Sequence, residues 1–353
     1  METIQHWLKR AVEIGASDIF IGAGRRLTFK MDGVIAPQTD EIVSPSEAAK
    51  LVTELYEMGR RSMQKFNDTG DDDFPVSIPG LARFRISSYK QRGTMAAIIR
   101  VVLFEIPKYE DMNIPEEVMR IAQEKNGLVL VTGPAGSGKT TTLACIIDAI
   151  NKTRNCHVIT LEDPIEFLHR DDRSLVSQRE VPTDTESYLT ALRACLRQAP
   201  DIILLGEMRD HETIRTAMTA AETGHLVIST LHTVGAVNTI DRIIDVFPGQ
   251  QQQQIRVQLS MLLRTVVTQQ LLPTVSGGLI PAFEIMHLNS AIRNLIRESK
   301  THQIDSVIQT SAAEGMVSMD ATIMKLVQTG TITAETAINA AVNADQMIRR
   351  LGL

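Results

Sequence analysis

Several features typical of other protein classes are scarce in this sequence. Aromatic residues make up only 4% of its 353 residues, and the net charge is -6. An acidic chain without an aromatic-rich basic groove lacks both the attraction for phosphate backbones and the stacking surfaces of nucleic-acid-binding proteins. We therefore expect no nucleic acid among its main partners, which argues against a nucleic-acid-translocating ring.

Cysteines and long apolar runs are scarce too. Cys145, Cys156 and Cys195 are scattered, without a Cys-x-x-Cys pair, so neither a disulfide framework nor a zinc site is indicated and reduced, buried thiols are expected. No apolar run approaches the roughly 20 residues that span a bilayer, and the first ten residues lack the apolar core of a signal peptide. These absences predict a cytosolic protein without a transmembrane segment.

Length and patterning predict two domains. Residues 1–105 are expected to form a small α+β domain. The segment 104–115, which contains prolines and several charges, marks a linker, assigned to 106–115. Residues 116–353 are expected to form a larger α/β domain that includes a helical C-terminal region over 286–353.

Within the first domain, apolar residues at helical spacing from Ile4 to Val12 predict one helix, and the capping box at 44–47 predicts a second after Ser44. Four segments are predicted to be strands, the second of them closed by a turn at Asp32-Gly33: residues 18–22, 27–31, 82–88 and 95–103. The acidic segment 68–80 is expected to be a solvated loop rather than a metal site.

From Gly127 onward, apolar runs alternate with helical patterns. Four runs are almost entirely apolar, as in parallel strands buried on both faces: residues 128–132, 157–161, 202–205 and 226–231. After about Gln250 the chain is expected to be helical, with Gln250–Gln254 on a helix surface, apart from a strand over 278–285. The predicted fold class is α/β with a parallel-sheet core, a preceding α+β domain and a helical C-terminal extension.

A glycine-rich loop follows the first of these runs. Residues 133–140 fit the G-x-x-x-x-G-K-[ST] pattern between a strand and a helix-forming run. In this pattern Gly136 and Gly138 let successive N–H groups face the phosphates, Lys139 reaches the β- and γ-phosphate oxygens, and Thr140 is a ligand of Mg²⁺. We therefore predict that the chain binds and hydrolyses Mg²⁺-ATP. The predicted nucleotide-binding residues are Gly133, Pro134, Ala135, Gly136, Ser137, Gly138, Lys139, Thr140 and Thr141.

Acidic residues after other strands are expected at the same edge, because ligands of parallel sheets bind outside the carboxyl ends of the strands. Glu207 follows one such strand and is a candidate both for holding Mg²⁺ through water and for activating the attacking water. Glu166 competes for the role of base, and the sequence supplies no distance that decides between them.

Two histidines lie at opposite ends of the last predicted parallel strand. His232 follows the carboxyl end and is assigned as a γ-phosphate sensor. His225 precedes the strand, roughly 20 Å away at the rise of a β-strand. We therefore expect a structural or interface role for His225.

Motors that hydrolyse ATP commonly use an arginine from a neighbouring surface to offset the charge of the transition state. Arg83, Arg85 and Arg100 lie on predicted strands of the first domain and are candidate arginine fingers. An ordinary surface position is an equally good interpretation of each.

Taken with these motifs, the sequence resembles the ATPase superfamily of type IV pilus and type II secretion machines, and within it the retraction ATPases of twitching motility. The resemblance covers nearly the whole chain. Besides the phosphate loop, it is carried by residues 16–18, 81–85, 159–167, 178–181, 206–210, 224–233 and 291–298.

The resemblance implies a homohexameric ring in which a PAS-like first domain packs against the RecA-like ATPase domain of a neighbour. It also implies docking on the inner-membrane platform protein, at the inner face of the cytoplasmic membrane, and ATP-driven pilus retraction. The segment 291–298 is similar to a retraction-linked helix, which implies that Arg293 and Arg297 couple hydrolysis to movement. The packing face expected from helical spacing contains Ala291, Ile292, Leu295 and Ser299.

The sequence argues against two other functions within this superfamily. Pilus-extension and type II secretion ATPases usually carry a tetracysteine metal module, which three unpaired cysteines cannot build. A non-hydrolysing regulatory partner would be expected to lack Lys139 or Glu207, and both are present. An accessory retraction ATPase is the alternative that stays open.

Overall fold

The computed structural model describes residues 2–31, 34–102 and 105–353. The chain forms two compact units, residues 1–105 with 166–168 and residues 106–165 with 169–353, here called the first and second units. The predicted turn at Asp32-Gly33, the end of a predicted strand at Leu103 and the start of the predicted linker at Phe104 lie outside the described residues.

The first unit contains an antiparallel sheet and three described helices. The strands are β1 (Asp18–Gly22), β2 (Arg26–Met31), β3 (Val34–Ile42), β4 (Asp71–Ile78), β5 (Ala82–Gln91) and β6 (Thr94–Val102), in the order β3-β2-β1-β6-β5-β4. The helices are α1 (Ile4–Glu13), α2 (Pro45–Met58) and α3 (Gln64–Thr69). The predicted capping box is present at α2, where Ser44 Oγ accepts from Glu47 N at 3.3 Å and Glu47 Oε2 accepts from Ser44 N at 2.9 Å.

The prediction of a solvated loop over residues 68–80 is wrong, because Asp71–Ile78 form β4 and pair with β5. Asp72 is only 2% exposed. Its carboxylate accepts hydrogen bonds from Arg61 Nε at 2.7 Å and Tyr56 Oη at 3.3 Å, and it pairs with Lys65 Nζ at 3.1 Å. Alternate residues of β4 are buried, as in a strand with one solvated face. The run of aspartates conceals that alternation in the sequence.

The second unit is built on a mixed sheet that is parallel except at one edge. Its strands are β7 (Gly127–Thr132), β8 (His157–Glu162), β9 (Leu175–Glu180), β10 (Ile202–Leu205), β11 (Leu226–Leu231), β12 (Leu263–Pro273) and β13 (Leu279–His287). Their order is β13-β12-β7-β11-β10-β8-β9, and only the β12–β13 pair is antiparallel among these strands. The four strands predicted from apolar runs are confirmed. Their burial on both faces explains those runs, since residues 128 and 130 of β7 face one hydrophobic cluster and residues 129 and 131 the other.

Helices cover this sheet and continue to the C-terminus. They are α4 (Glu116–Met119), α5 (Lys139–Thr153), α6 (Tyr188–Cys195), α7 (His211–Glu222), α8 (Ala236–Asp245), α9 (Gly249–Leu262), α10 (Ser290–Arg297), α11 (Ile304–Thr310), α12 (Met319–Gln328), α13 (Ala334–Ala340) and α14 (Ala344–Leu351). In the described ranges, no helix combines the length and apolar character needed to cross a membrane. Cys145 and Cys195 are buried as expected, and burial raises the pKa of each thiol to about 11, whereas Cys156 is half-buried.

The expectation of helix from Gln250 onward, interrupted only by one strand, is wrong for a second segment. The glutamines do lie on α9, but this helix ends at Leu262 and β12 follows, pairing with β7 and β13. An apolar run fits a buried helix or a buried strand equally well by periodicity. Pairing with β7 decides the outcome.

Candidate functional site

The phosphate loop spans residues 133–138, between the end of β7 and the start of α5. Lys139 is the first residue of α5 and is 8% exposed. Its Nζ donates to the carbonyl oxygens of Gly133 at 2.8 Å and Pro134 at 2.9 Å. The ammonium group is therefore folded back over the loop, where it faces any anion that the loop encloses.

Two glycines of the loop have backbone conformations that disfavour any side chain. Gly133 has a φ of 140°, and a Cβ there would collide with the carbonyl oxygen of Gln269 on β12. Gly138 has a φ of 86° and is the N-cap of α5, without a side-chain cap. A Cβ on Gly138 would lie 2.8 Å from Gln269 Nε2. The helix therefore presents its N-terminal amides and the positive end of its dipole to the loop.

A buried hydroxyl inside the loop suits a polyanionic ligand. Ser137 is 2% exposed, and within the part of the chain that the structure describes its Oγ has no hydrogen-bond partner. Orphaned buried polar atoms are uncommon and point to a ligand that is bound in the working protein. Together with Lys139 and the helix terminus, this hydroxyl fits a nucleotide phosphate. The Thr140 hydroxyl and the Glu207 carboxylate offer the hard oxygen atoms that suit Mg²⁺.

The structure brings Glu207 and His232 together at the carboxyl edge of the sheet. Glu207 follows β10, His232 follows the neighbouring strand β11, and His232 Nε2 lies 3.4 Å from Glu207 Oε2. The other carboxylate oxygen forms an ion pair with Arg209, to which the sequence interpretation had given no role. The phosphate loop adjoins the same edge, because Gly133 N donates to Leu231 O at 3.3 Å.

Tyr188 is a further residue of this edge that the sequence did not indicate. A Cβ on Gly206 would lie 2.6 Å from the Tyr188 hydroxyl, so the phenol packs directly against the residue before Glu207. Burial, and then the negative charges of Asp163 and Glu207, raise the pKa of the phenol. Tyr188 therefore stays neutral at physiological pH and is a hydrogen-bond donor beside the carboxylates.

The other predicted residues of this edge are placed differently. Glu166 is exposed and belongs to the stretch 166–168 of the first unit. His225 lies at the opposite end of β11, where its Nδ1 is 2.9 Å from Ala220 O and 3.1 Å from Thr223 Oγ1. The geometry therefore assembles Glu207 with His232, and leaves His225 among backbone contacts.

The three candidate arginines lie on β5 and β6 of the first unit. Arg85 is paired in register with Arg100, and both line a cavity with Asp18 and Asp73. Arg100 Nε donates to Asp18 Oδ1 at 3.1 Å. Arg83 lies on β5, two residues from Arg85. Arg100 is thus partly neutralised by a carboxylate of its own unit.

The face by which α10 packs differs from the expected one. Ile292 and Ile296 are buried and Leu295 is half-buried, whereas Ala291 and Ser299 are exposed. The expected face was wrong in these last two positions, because the buried stripe follows the bulky residues at i, i+3 and i+4. Arg293 is half-buried and Arg297 is exposed.

A cavity of about 250 Å³ beside the phosphate loop completes the site within the second unit. Thr142 Oγ1 donates to Gln269 Oε1 at 2.7 Å on its polar side. That side is lined by Asp111, Asn113, Gly138, Thr141, Thr142 and Gln269. Its apolar side is formed by Met112, Ile114, Leu271, Leu279 and Pro281. An apolar slot with a few polar groups suits a flat heterocyclic base. The sequence did not reveal it because β12, which supplies Gln269 and Leu271, was not predicted.

A phosphate loop at the carboxyl edge of a parallel sheet, with a carboxylate after a neighbouring strand, defines a P-loop nucleotide-binding protein. The family model described as Type II/IV secretion system protein matches residues 1–339, and the chain belongs to this family.

Similar proteins extend along nearly the whole chain. A type IV pilus retraction ATPase, PilT of Pseudomonas aeruginosa, is 44% identical over 324 residues, which are 92% of this chain and 93% of that protein. A twitching motility protein of Neisseria gonorrhoeae is 45% identical over 306 residues, covering 86% of this chain and 81% of that one. A crystal structure of the pilus retraction motor PilT with bound ADP superimposes with a TM-score of 0.92 at 44% identity, covering 99% of this chain and 100% of that one. The predicted α/β fold, with its parallel-sheet core, N-terminal domain and helical C-terminal region, is thereby confirmed.

Proposed function

We propose that this protein is an ATPase that drives retraction of type IV pili in twitching motility. The observation that carries the proposal is the end-to-end similarity to PilT, which includes both units and the C-terminal helices. ADP bound to that PilT supports a nucleotide at residues 133–141 of this chain.

We further propose roles for the residues of the site. The N–H groups of the loop and Lys139 hold the phosphates, with Lys139 exchanging its carbonyl contacts for phosphate oxygens. Thr140, and Glu207 through water, would hold Mg²⁺, and the ion would offset charge on the transferred phosphoryl group. Glu207 accepts the proton of the attacking water, and Arg209 holds the carboxylate in place. When ATP is bound, His232 exchanges its contact with Glu207 for a hydrogen bond to the γ-phosphate and thereby senses whether the nucleotide is intact.

The working assembly is proposed to be a homohexameric ring on the inner-membrane platform protein of the pilus machine, at the cytoplasmic face of the membrane. In this ring an arginine among Arg83, Arg85 and Arg100 would reach the nucleotide of a neighbouring subunit. The support is the resemblance carried by residues 81–85 and 291–298. The chain itself supplies no tetracysteine module, which disfavours an extension or secretion ATPase.

The test is deletion of the gene, followed by complementation with the wild-type chain or with Lys139→Ala. The deletion strain should accumulate surface pili and lose twitching, and only the wild-type chain should restore both. Loss of pili on deletion would instead identify an extension ATPase. Unchanged pilus number and twitching would assign an accessory role.

A further inference from the structure

A buried carboxylate joins two helix N-termini behind the nucleotide site. Glu284 lies on β13 and is 5% exposed. Its Oε1 accepts from the backbone N of Ala236 at 2.8 Å, and its Oε2 accepts from the backbone N of Met319 at 3.4 Å. Ala236 begins α8 and Met319 begins α12, so each oxygen of one side chain serves a different helix.

The bond to α8 replaces a missing cap. The N-cap residue of α8 is Gly235, which has no side chain to accept from the first amides of the helix. Glu284 supplies that acceptor from β13, and its carboxyl group lies at the positive end of the helix dipole. Burial raises the pKa of this carboxyl. The start of α8 is therefore fixed in part by β13.

The segment fixed in this way is the loop that carries His232. This loop leaves β11 after Leu231 and enters α8 at Ala236. Near its centre, Thr233 Oγ1 lies 2.7 Å from Thr239 Oγ1, and Thr239 Oγ1 also donates to Gly235 O at 2.8 Å. His232 thus lies at the start of a short loop, and Glu284 binds the residue at the end of that loop.

The other carboxylate oxygen of Glu284 contacts α12, one of the C-terminal helices that follow β13. Met319, Ile323, Ile332, Ala337 and Met347 form a separate hydrophobic cluster with Leu272 and Ala282 of the sheet. Met319, in the first turn of α12, packs in that cluster through its side chain and donates its backbone N–H to Glu284. Glu284 therefore contacts both the end of the His232 loop and the start of α12.

We propose that Glu284 is a positioning residue that holds the His232 loop in its catalytic geometry and couples it to the C-terminal helices. The inference rests on the proposed role of His232 in hydrolysis. It concerns the chemical step and not nucleotide affinity, because the phosphate loop has its own support from Gln269 on β12.

The variant that tests this is Glu284→Gln in the full-length chain. An amide of the same size has one acceptor oxygen, so it can satisfy Ala236 N or Met319 N but not both, and its NH₂ group faces the other donor. A small displacement of the His232 loop should lower kcat about tenfold, since a misplacement of about 1 Å can cost about a hundredfold. KM and the affinity for ATP should change less than about twofold, because the phosphate loop, which holds the nucleotide, keeps its own contacts with β12.

Asp320→Asn is the matched control. Asp320 also gives one oxygen to each of two backbone amides, Val342 N at 2.7 Å and Asn343 N at 3.2 Å, and it lies on α12 without a bond to α8. Its substitution should loosen the C-terminal region and leave kcat nearly unchanged. An equal fall of kcat in both variants would show that general destabilisation explains the effect of Glu284→Gln. Thr239→Val, which loosens the same loop from within α8, should reproduce the selective fall in kcat.

A double-mutant cycle with His232→Ala separates the inference from the proposed function. If Glu284 acts through His232, Glu284→Gln should lower kcat about tenfold in the wild-type background and less than about twofold in the His232→Ala background. Additive effects would overturn the inference while leaving the role of His232 intact. A normal kcat in His232→Ala alone would overturn the proposed role of His232 and with it this inference.

Discussion

His232 Nε2 lies 3.4 Å from a carboxylate oxygen of Glu207, although the two residues follow different strands of the sheet. The parallel pairing of β10 and β11 aligns their carboxyl ends and makes this contact possible. The second oxygen of Glu207 is engaged by Arg209. A carboxylate held on both sides has a fixed direction, as a base that must meet one water molecule requires.

Glu207→Gln should bind ATP normally and hydrolyse it at least roughly a hundredfold more slowly, because a positioned general base contributes about that much. Lys139→Ala should instead lose ATP binding. The measurements are fluorescent-nucleotide titration and steady-state phosphate release.

Glu166→Gln is the matched comparison, since it makes the same change at the competing carboxylate. Its turnover should stay within a few-fold of the wild type. Near-normal turnover in Glu207→Gln together with a collapse in Glu166→Gln would transfer the role of base to Glu166.

An arginine that acts between subunits should reveal itself in mixed rings. In the proposed ring, subunits with Lys139→Ala should fail to bind ATP, and subunits with the essential arginine replaced by alanine should fail to complete a neighbour's site. Mixing the two should restore part of the ATPase activity, because some sites then combine an intact Lys139 with an intact arginine.

The mixing experiment should be done separately for Arg83, Arg85 and Arg100. An arginine that acts within its own subunit would give no recovery at any mixing ratio. Arg100→Lys is a useful companion, since it keeps the charge beside Asp18 but loses the planar fork of the guanidinium group.

Replacing Arg293 and Arg297 of α10 by alanine should leave ATP hydrolysis within about twofold of the wild type and abolish twitching. The helix should persist, because its buried face consists of Ile292 and Ile296, which are unchanged. The control is Arg349→Ala with Arg350→Ala, an equal loss of charge from exposed positions of α14. Normal twitching in the α10 variant would remove the coupling role of this helix.

Asp72→Asn should destabilise the first unit by about 1.5–3 kcal/mol, the usual contribution of charge-assisted hydrogen bonds. Burial tends to raise the pKa of Asp72, but the hydrogen bonds and charges of Arg61 and Lys65 outweigh it and leave the pKa lowered. The stabilisation is therefore complete above the ordinary aspartate pKa of about 3.9, and it is lost as the pH falls through the lowered value in the folded protein.

The first unit carries its own probe for this measurement. Trp7 is the sole tryptophan of the sequence and is buried in the core of that unit. Urea unfolding followed by its fluorescence at pH 7 and pH 3 should show a smaller difference between wild type and Asp72→Asn at the lower pH. Asp71→Asn, an exposed neighbour on β4, is the control and should change stability by less than about 0.5 kcal/mol.

Strands of the second unit were predicted correctly where their buried residues are mostly apolar. Strands β7, β8, β10 and β11 are mostly apolar and buried on both faces, so the sequence predicted them together with the loop and the carboxylate that follow their ends. Strand β12 buries Thr268 and Gln269, whose hydrogen-bond partners lie in β7 and α5. No local sequence pattern indicates a buried polar residue whose hydrogen-bond partner is far away in the sequence. The cavity beside the phosphate loop was not predicted for that reason.

A side chain at Gly133 would collide with the backbone of Gln269 on β12. The phosphate loop therefore packs closely against a strand that is synthesised much later than the loop. A nascent chain that has been synthesised only as far as Lys139 contains the phosphate-loop motif but not β12. Residues 263–273 pair with β7 only after they have been synthesised. A truncated chain that ends before β12 would therefore carry the sequence signature of an ATPase without the strand against which its phosphate loop packs.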